Sequence, residues 1–160
     1  AVPKEMFPLA AVGANLVNFL FSLIPLLFVI LVMRVDITWA VLWVPFGVFL
    51  IGLFTLGVAL ALGTLNVFFR DVRYFYEAAL LAWFYGTPIF YPIEILSPRA
   101  RAVLQWNPLY VLVDVFRTPI YAGTAPATAT IITATVEAVG MALVGWLIFR
   151  RYHARFVDYI

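Results

Sequence analysis

The sequence has no cysteine, a single histidine and few charged residues. Without cysteine the chain can form no disulfide framework and offers no thiolate as a nucleophile or metal ligand. The one histidine, His153, lies among arginines near the C-terminus, which argues against a histidine-based metal cluster. A net charge of +2 does not indicate a nucleic-acid partner. The sequence therefore predicts no catalytic residue, no metal site and no cofactor.

Hydrophobic residues are abundant, at 66% of the chain, and charged residues make up only 11%. Soluble domains average about 45–50% apolar and about 25% charged residues, so this composition indicates an integral membrane protein. Four long segments carry no charge or only one, namely 9–33, 39–65, 75–91 and 127–149. At about 1.5 Å per residue, the first reaches about 37 Å and can cross a hydrocarbon core of about 30 Å. We expect an all-α fold with four transmembrane helices in a single transmembrane domain.

The segment between the third and fourth of these runs is rich in proline and in charge. Asn107 followed by Pro108 is typical of a helix start, and Tyr121-Ala122-Gly123 of a helix end. A helix between them is too short to span a bilayer. We expect residues 98–122 to form a pair of short re-entrant or interfacial helices.

The distribution of basic residues predicts the orientation. With four spans both chain ends lie on one side, together with Arg70 and Arg73, and six basic residues face four on the other side. Cytoplasmic loops carry an excess of lysine and arginine. We therefore expect the Arg70–Arg73 turn and the tail at 150–160 in the cytoplasm, and the short helix pair on the outer side.

Several polar and small residues fall within the predicted spans. Asn15 and Asn18 share one face of the first span and should face other helices or a cavity, either for packing or for function. Glu137 would cost about 2–3 kcal/mol or more if it faced lipid. It is interpreted as a hydrogen-bonded or protonated interior residue, with a transport-coupling role as the alternative. The spacing of Gly57/Ala61 and Ala59/Gly63 predicts close helix packing.

Half of the aromatic residues lie between Phe68 and Tyr121. Anchoring at the membrane interface explains those at the ends of spans. It does not explain Trp83, Phe84 and Tyr85, which fall in the middle of a predicted span and could stack on sugars. On the short helix that follows, Asp114 and Arg117 are three residues apart, so we expect them to pair.

A charged interruption separates the second and third spans. Arg70, Asp71 and Arg73 place three charges within four residues of a mostly uncharged chain. Charges are poorly tolerated in a bilayer core, so this turn must lie at a water boundary.

These motifs occur together in one known family. The segments 66–73 (NVFFRDVR), 87–92 (TPIFYP), 107–109 (NPL) with Arg117, and 155–160 (RFVDYI) occur in this order and approximate spacing. The chain resembles the permease subunits of type-2 ABC exporters, specifically those that move O-antigen, capsular or teichoic-acid polysaccharides. The resemblance covers essentially the whole chain, which looks like the C-terminal two-thirds of such a subunit.

The resemblance implies a role for each group of residues. Arg70, Asp71 and Arg73 would couple the permease to a separate ATP-binding subunit, and this chain has no Walker-type sequence of its own. The resemblance further implies a homodimer in the bacterial cytoplasmic membrane and a lipid-linked glycan substrate. The translocation path would be lined by Trp83, Phe84, Tyr85, Phe90, Tyr91 and Tyr110. The outer gate would contain Asn107, Pro108, Asp114 and Arg117.

Two other functions stay open at this stage. A type-2 exporter of drugs or lipids would share most of these motifs. A membrane-embedded glycosyl or acyl transferase would need convergent acids or a histidine at a membrane face. Glu77, Glu94 and Asp114 are instead scattered among arginines. A membrane scaffold without transport would leave the irregular, proline-rich 92–126 segment unexplained.

Overall fold

The computed structural model describes residues 6–32, 38–69, 72–89, 91 and 93–152, with the side chains of 6–9, 73 and 94 left aside. Every regular element in this part of the chain is helical, which confirms the all-α membrane fold. In chain order the α-helices are α1 Met6–Val32, α2 Val44–Phe68, α3 Val72–Gly86, α4 Pro98–Leu104, α5 Pro108–Tyr121 and α6 Thr128–Tyr152. Short 3₁₀ helices precede α2 at Trp39–Trp43 and α4 at Ile93–Ile95.

Three helices in the described ranges are long and apolar enough to cross a membrane. They are Ala10–Val32, Trp39–Phe68 and Thr128–Tyr152. These ranges agree with the predicted first, second and fourth spans. The third predicted span, 75–91, coincides largely with α3, which has 15 residues and a length of only about 22 Å. That is shorter than the hydrocarbon core of about 30 Å.

The helix α3 and the helix α5 run in the same direction along the bundle. A tight turn, in which the Val72 backbone nitrogen donates to the Phe69 carbonyl over 3.1 Å, connects α3 to the end of α2. At the opposite end, the Thr38 hydroxyl donates to the Gly123 carbonyl over 2.6 Å, which places the end of α5 beside the start of α2. The two helices together therefore extend along the bundle in one direction as two separate segments, and α4 lies between them in the chain.

The boundaries of α5 agree with the local signals in the sequence. The Asn107 side chain caps its first turn by accepting from the Leu109 backbone nitrogen over 3.1 Å, and Pro108 occupies the first helical position. The helix ends at Tyr121, and Gly123 follows in the left-handed region at φ 63°. A non-glycine residue is disfavoured there, because its Cβ would clash with the backbone.

The helices α2 and α6 cross at two glycines. A Cβ atom built on Gly145 would overlap the carbonyl of Gly57, and one built on Gly57 would overlap the backbone of Met141. The close approach predicted from Gly57 is therefore present, and Gly145 is its partner. By contrast, a Cβ built on Gly63 would have no described atom within 4 Å, so the Ala59/Gly63 pair does not form a second crossing among these helices.

The core lies between α2, α5 and α6. Leu50, Leu112 and Val115 are almost completely buried there, together with Ala134 and Ala138 of α6. Gly47 allows α5 to approach, because a Cβ at this position would lie 3.0 Å from the Phe116 Cα. This packing holds α5 firmly against the first half of α2.

The helix α1 packs only lightly against the rest of the described chain. Its main contact is with α2, where Leu16 lies over Gly52. The face of α1 that carries Asn15 and Asn18 is exposed, and so is Ser22 one turn further on. The Asn15 amide donates to the Ala11 carbonyl over 2.9 Å, and the Ser22 hydroxyl to the Asn18 carbonyl over 2.9 Å. Asn15 also lines a small cavity of about 150 Å³ against α2.

Candidate functional site

The candidate site is the junction where α3 ends and α5 begins. Thr87 and Pro88 follow directly after α3 and are almost completely buried, at 2% exposure or less. The Thr87 hydroxyl donates to the Trp83 carbonyl over 2.9 Å, one turn back in α3. Pro88 has no backbone N–H and cannot continue the helix, so α3 stops here inside the protein rather than at its surface.

Asn107 connects this junction to α5. Its Oδ1 atom accepts from the Trp83 indole nitrogen over 2.7 Å, in addition to capping α5. Its Nδ2 atom donates to the Thr87 hydroxyl over 3.0 Å and to the Gly86 carbonyl at 3.4 Å. One amide side chain thus binds both the end of α3 and the start of α5, and we call the contacts among Trp83, Thr87 and Asn107 the latch.

The latch lies at the level of the middle of α2, away from either end of the bundle. The Trp83 ring packs edge-on against Phe54, with ring centroids 6.4 Å apart and an interplanar angle of 80°. Phe54 is buried ten residues into α2, which begins at Val44. Helix α5 therefore begins in the interior of the bundle and runs to its end, which is the geometry of a re-entrant helix.

A second connection joins α5 to the segment after α3. Nη1 of Arg117 donates to the Pro88 carbonyl over 3.1 Å. Asp114 accepts instead from the Thr118 hydroxyl over 3.1 Å. The predicted pair of Asp114 with Arg117 is therefore replaced by two other contacts. The Pro88 carbonyl lies beyond the end of α3 and has no helical donor, so it offers the guanidinium a partner that sequence spacing cannot reveal.

The aromatic residues assigned to a translocation path have two different environments. Trp83 and Tyr110 are half-buried and pack against the core. Phe84 and Tyr85 are 43% and 68% exposed, with ring centroids 5.5 Å apart. The Tyr91 hydroxyl donates to the Tyr85 carbonyl over 3.0 Å. Phe90 lies outside the described residues. Phe84, Tyr85 and Tyr91 lie together at the end of α3, and their part in a translocation path stays a prediction.

An apolar groove separates α3 from α2 and α6 below the latch. Its volume is about 430 Å³, and it extends along α3 from Val72 to Trp83. Phe54 and Met141 contribute to its wall from α2 and α6. Because this groove lies under its length, α3 is held mainly at its two ends, by the tight turn from α2 and by the latch.

Most of the charged interruption lies outside the described residues. Arg70 and Asp71 are outside the described residues. The backbone of Arg73 belongs to α3, but its side chain is not among those described. The neighbouring Phe69 is 64% exposed. Its backbone nitrogen donates to the Leu65 carbonyl over 2.9 Å. The coupling role of these three residues therefore stays a prediction.

Glu137 lies on α6 away from the latch. Its Oε2 atom is buried and has no hydrogen-bond partner among the described residues. Its immediate helix neighbours Ala134 and Ala138 are packed in the core. The structure therefore places this carboxyl at the edge of the α2–α6 contact, and its role as a protonated or hydrogen-bonded interior residue stays a prediction.

Sequence reasoning missed two members of the junction. Thr87 and Pro88 belong to the motif at 87–92, but the sequence pattern alone gives them no site role. The signal that could have identified them is a threonine placed directly before a proline at the end of an apolar run, since a helix stopped inside a membrane protein needs side chains to satisfy its free backbone groups.

Comparison with known families decides the class of protein. Residues 3–121 match the ABC-2 type transporter family. The chain belongs to this family. The matched range ends at Tyr121 and so contains the whole of the α3–α5 junction.

Three relatives of this ABC-2 chain are named as O-antigen export permeases. It is 29% identical to an O-antigen export system permease protein from Myxococcus xanthus, over 99% of this chain and 62% of that protein. Two proteins of the same name from Klebsiella pneumoniae are 32% and 33% identical, over 76% and 67% of this chain. The chain covers 48% and 42% of those two proteins. It thus spans less than two-thirds of the length of the relatives it matches.

Proposed function

We propose that this chain belongs to the transmembrane permease subunit of an ABC exporter that moves a lipid-linked polysaccharide across the bacterial cytoplasmic membrane. The observation that carries the proposal is its similarity, along nearly its whole length, to a permease named for O-antigen export. A separate subunit would hydrolyse ATP, and two permease copies would enclose the path. The resemblance to polysaccharide exporters, and not composition, is the basis for the substrate and the homodimer.

The interrupted third passage supports a gated path. A continuous helix such as α2 has all its backbone groups paired internally and cannot open without breaking those bonds. The α3–α5 junction is held instead by side-chain hydrogen bonds from Asn107 and Arg117. Such bonds contribute about 1 kcal/mol each between neutral groups and about 1.5–3 kcal/mol from a charged donor such as Arg117, so they can exchange partners during a transport cycle.

The orientation follows from the positive-inside prediction. The tight turn between α2 and α3, with Arg70, Asp71 and Arg73, would face the cytoplasm and the ATP-binding subunit. The C-terminal end of α5 and the start of α6 would face outward, with α4 and α5 forming the outer gate. Since α3 is fastened at both ends and lies over a groove, it can carry movement of the turn to the latch.

The proposal is tested with the complete permease and its ATP-binding subunit in proteoliposomes. The measurements are ATP-dependent movement of a labelled lipid-linked glycan and stimulation of ATP hydrolysis by that substrate. Tyr85→Ala should reduce glycan export several-fold, because it removes a ring from the exposed aromatic surface. Phe28→Ala is a matched control, since Phe28 on α1 has the same 68% exposure as Tyr85. Equal export by both variants would contradict the proposal that the exposed aromatic residues line the translocation path.

The substrate class has its own test in the same system. Export of the lipid-linked glycan, with no movement of fluorescent phospholipids or of hydrophobic cationic drugs, supports the polysaccharide assignment. Movement of the phospholipid or drug without the glycan would place the chain among the lipid or drug exporters of the type-2 class.

A further inference from the structure

One face of α5 carries polar side chains along the length of the helix. It consists of residues three or four positions apart that share an arc of about 60° around the helix axis, namely Tyr110, Asp114, Arg117 and Tyr121. We call these four residues the α5 polar face. Leu112 and Val115, which are completely buried, point to the opposite side of the helix and pack in the core.

The α5 polar face lies at the depth of the membrane. Phe116 is in contact with α2, because a Cβ atom built on Gly47 would be 3.0 Å from the Phe116 Cα. Gly47 is about 12 Å inside the membrane-spanning range Trp39–Phe68. Asp114 and Arg117 flank Phe116 on α5, so both charged residues lie within the bilayer. Charged side chains at this depth face the protein interior or a water-filled cavity, because exposure to hydrocarbon is costly.

The two charged side chains keep hydrogen-bonding groups that the described residues do not use. Asp114 accepts at Oδ1 from the Thr118 hydroxyl over 3.1 Å, and no described residue donates to its Oδ2. Arg117 donates through Nη1 to the Pro88 carbonyl, and its other N–H groups have no acceptor among the described residues. Both groups therefore retain the capacity to bind a ligand through charge-assisted hydrogen bonds.

Tyrosine rings border these charged groups. Tyr121 is the last residue of α5 and is 82% exposed. The bond from Arg117 to Pro88 brings the segment after α3 against the polar face, and this segment carries Tyr91, whose hydroxyl donates to the Tyr85 carbonyl. A sugar ring has an apolar face of C–H groups and a rim of hydroxyls. Exposed rings beside a partly satisfied carboxylate and guanidinium match both of these features.

We infer that the α5 polar face is a glycan-binding subsite in the outer half of the translocation path, where Asp114 accepts hydrogen bonds from sugar hydroxyls. The inference rests on the proposed function, because the ligand is the glycan of the substrate proposed there. Arg117 donates to sugar oxygens, and Tyr121 stacks on a sugar ring at the outer end. Thr118 is a positioning residue, since its hydroxyl holds the Asp114 carboxylate. An apolar ligand would leave both charges without partners, which is unfavourable at this depth.

The first measurement determines whether the polar face is open to water. Single cysteines are introduced into a cysteine-free form of the complete permease, which suits a chain that has none of its own. Thr118→Cys should react with a membrane-impermeant charged maleimide added from outside. Thr133→Cys is the matched control, because Thr133 on α6 is also a threonine bonded within its own helix, but it lies away from α5 on an exposed flank. It should react several-fold more slowly, since a charged reagent does not enter hydrocarbon.

The second measurement determines whether Asp114 binds the glycan. The probe is the lipid-linked polysaccharide extracted from membranes of the source bacterium, added to the complete permease and its ATP-binding subunit in proteoliposomes. Asp114→Asn keeps an acceptor for Thr118 but loses the charge. The probe concentration for half-maximal stimulation of ATP hydrolysis should therefore rise about tenfold, while the thermal unfolding temperature changes little.

The positioning role of Thr118 is measured in the same assay. Thr118→Val should raise the half-maximal concentration by a smaller factor than Asp114→Asn does, because the carboxylate remains but loses its support. Thr118→Ser should restore the wild-type value, since the hydroxyl is retained. Thr133→Val is the control and should leave the value unchanged.

The contrary outcomes are distinct from one another. If Thr118→Cys is not labelled and instead forms a disulfide between two permease copies, the polar face is a contact between copies. If Asp114→Asn lowers the unfolding temperature and leaves the glycan dependence unchanged, the carboxylate has only a structural role. Either result overturns the inference and leaves the proposed function standing. If the wild-type complex neither exports the probe nor responds to it, the proposed function itself fails.

Discussion

The indole nitrogen of Trp83 donates to Oδ1 of Asn107 over 2.7 Å, and this hydrogen bond joins the end of α3 to the start of α5. It connects residues 24 positions apart across a break in a membrane passage. In an apolar environment an unpaired amide or indole N–H raises the free energy of the folded state. Forming this hydrogen bond therefore stabilises the fold. Its removal should therefore affect both the stability of the helix pair and its movement.

Trp83→Phe should lower stability, because it removes the donor while leaving an aromatic ring against Phe54. We expect a loss of about 1–2 kcal/mol, measured as the shift in the thermal unfolding of the purified permease in detergent. Tyr85→Phe is the control, a conservative change at an exposed aromatic residue on the same helix. Equal unfolding temperatures for the two variants would show that the Trp83–Asn107 bond contributes nothing measurable.

Asn107→Ala should be more damaging than Asn107→Asp. Alanine removes the α5 cap and every bond to Trp83, Thr87 and Gly86, whereas aspartate retains the acceptor for Trp83 and for the cap. Loss of the cap alone costs about 1 kcal/mol. A double-mutant cycle of Asn107→Ala with Trp83→Phe should give a coupling energy of about 0.5–3 kcal/mol. Additive effects would mean that the two side chains do not interact.

Gly57→Ala and Gly145→Ala should each destabilise the protein strongly, because a methyl group at either position would overlap the backbone of the facing helix. Overpacking costs about 1–3 kcal/mol where side chains can yield, and a backbone neighbour yields less. Gly63→Ala is the control, since it meets open space within the described structure. The measurement is the midpoint of unfolding by denaturant in detergent, and a neutral Gly145→Ala would contradict the crossing.

The parts of this fold that could be predicted from sequence depend on local chemistry. The boundaries of α5 follow from Asn107, Pro108 and Gly123, because a cap, a fixed φ and a left-handed residue act within one turn. The apolar lengths of α1, α2 and α6 follow in the same way from the thickness of a bilayer.

The parts that could not be predicted depend on contacts between distant segments. Spacing on one helix predicted a partner for Arg117 at Asp114, but the Pro88 carbonyl, 29 residues away, provides its hydrogen bond. The mid-span position of Trp83 predicts a place on the translocation path, and only the fold reveals that its indole donates to Asn107. No periodicity in the sequence encodes such pairings.

Arg117→Met should impair transport more than Arg117→Lys. Both replacements keep a long side chain, but methionine cannot donate to the Pro88 carbonyl, whereas lysine can. We expect export in proteoliposomes to fall several-fold for methionine and by less for lysine, because a hydrogen bond from a charged donor contributes about 1.5–3 kcal/mol. Normal export by Arg117→Met would show that the second connection is not needed for gating.

Substitutions of Glu137 test whether its carboxyl has a structural or a functional role. Its buried Oε2 atom has no partner among the described residues, so its burial costs free energy that nothing described here offsets. Glu137→Leu should then leave stability unchanged or raise it by about 1 kcal/mol, since removing an unpaired buried polar group is favourable. The measurement is thermal unfolding of the complete permease in detergent, run beside an export assay.

Lower stability in Glu137→Leu that is restored in Glu137→Gln would reveal a hydrogen-bond partner elsewhere in the assembly. Normal stability with abolished export in both variants would instead identify a carboxyl that takes part in transport.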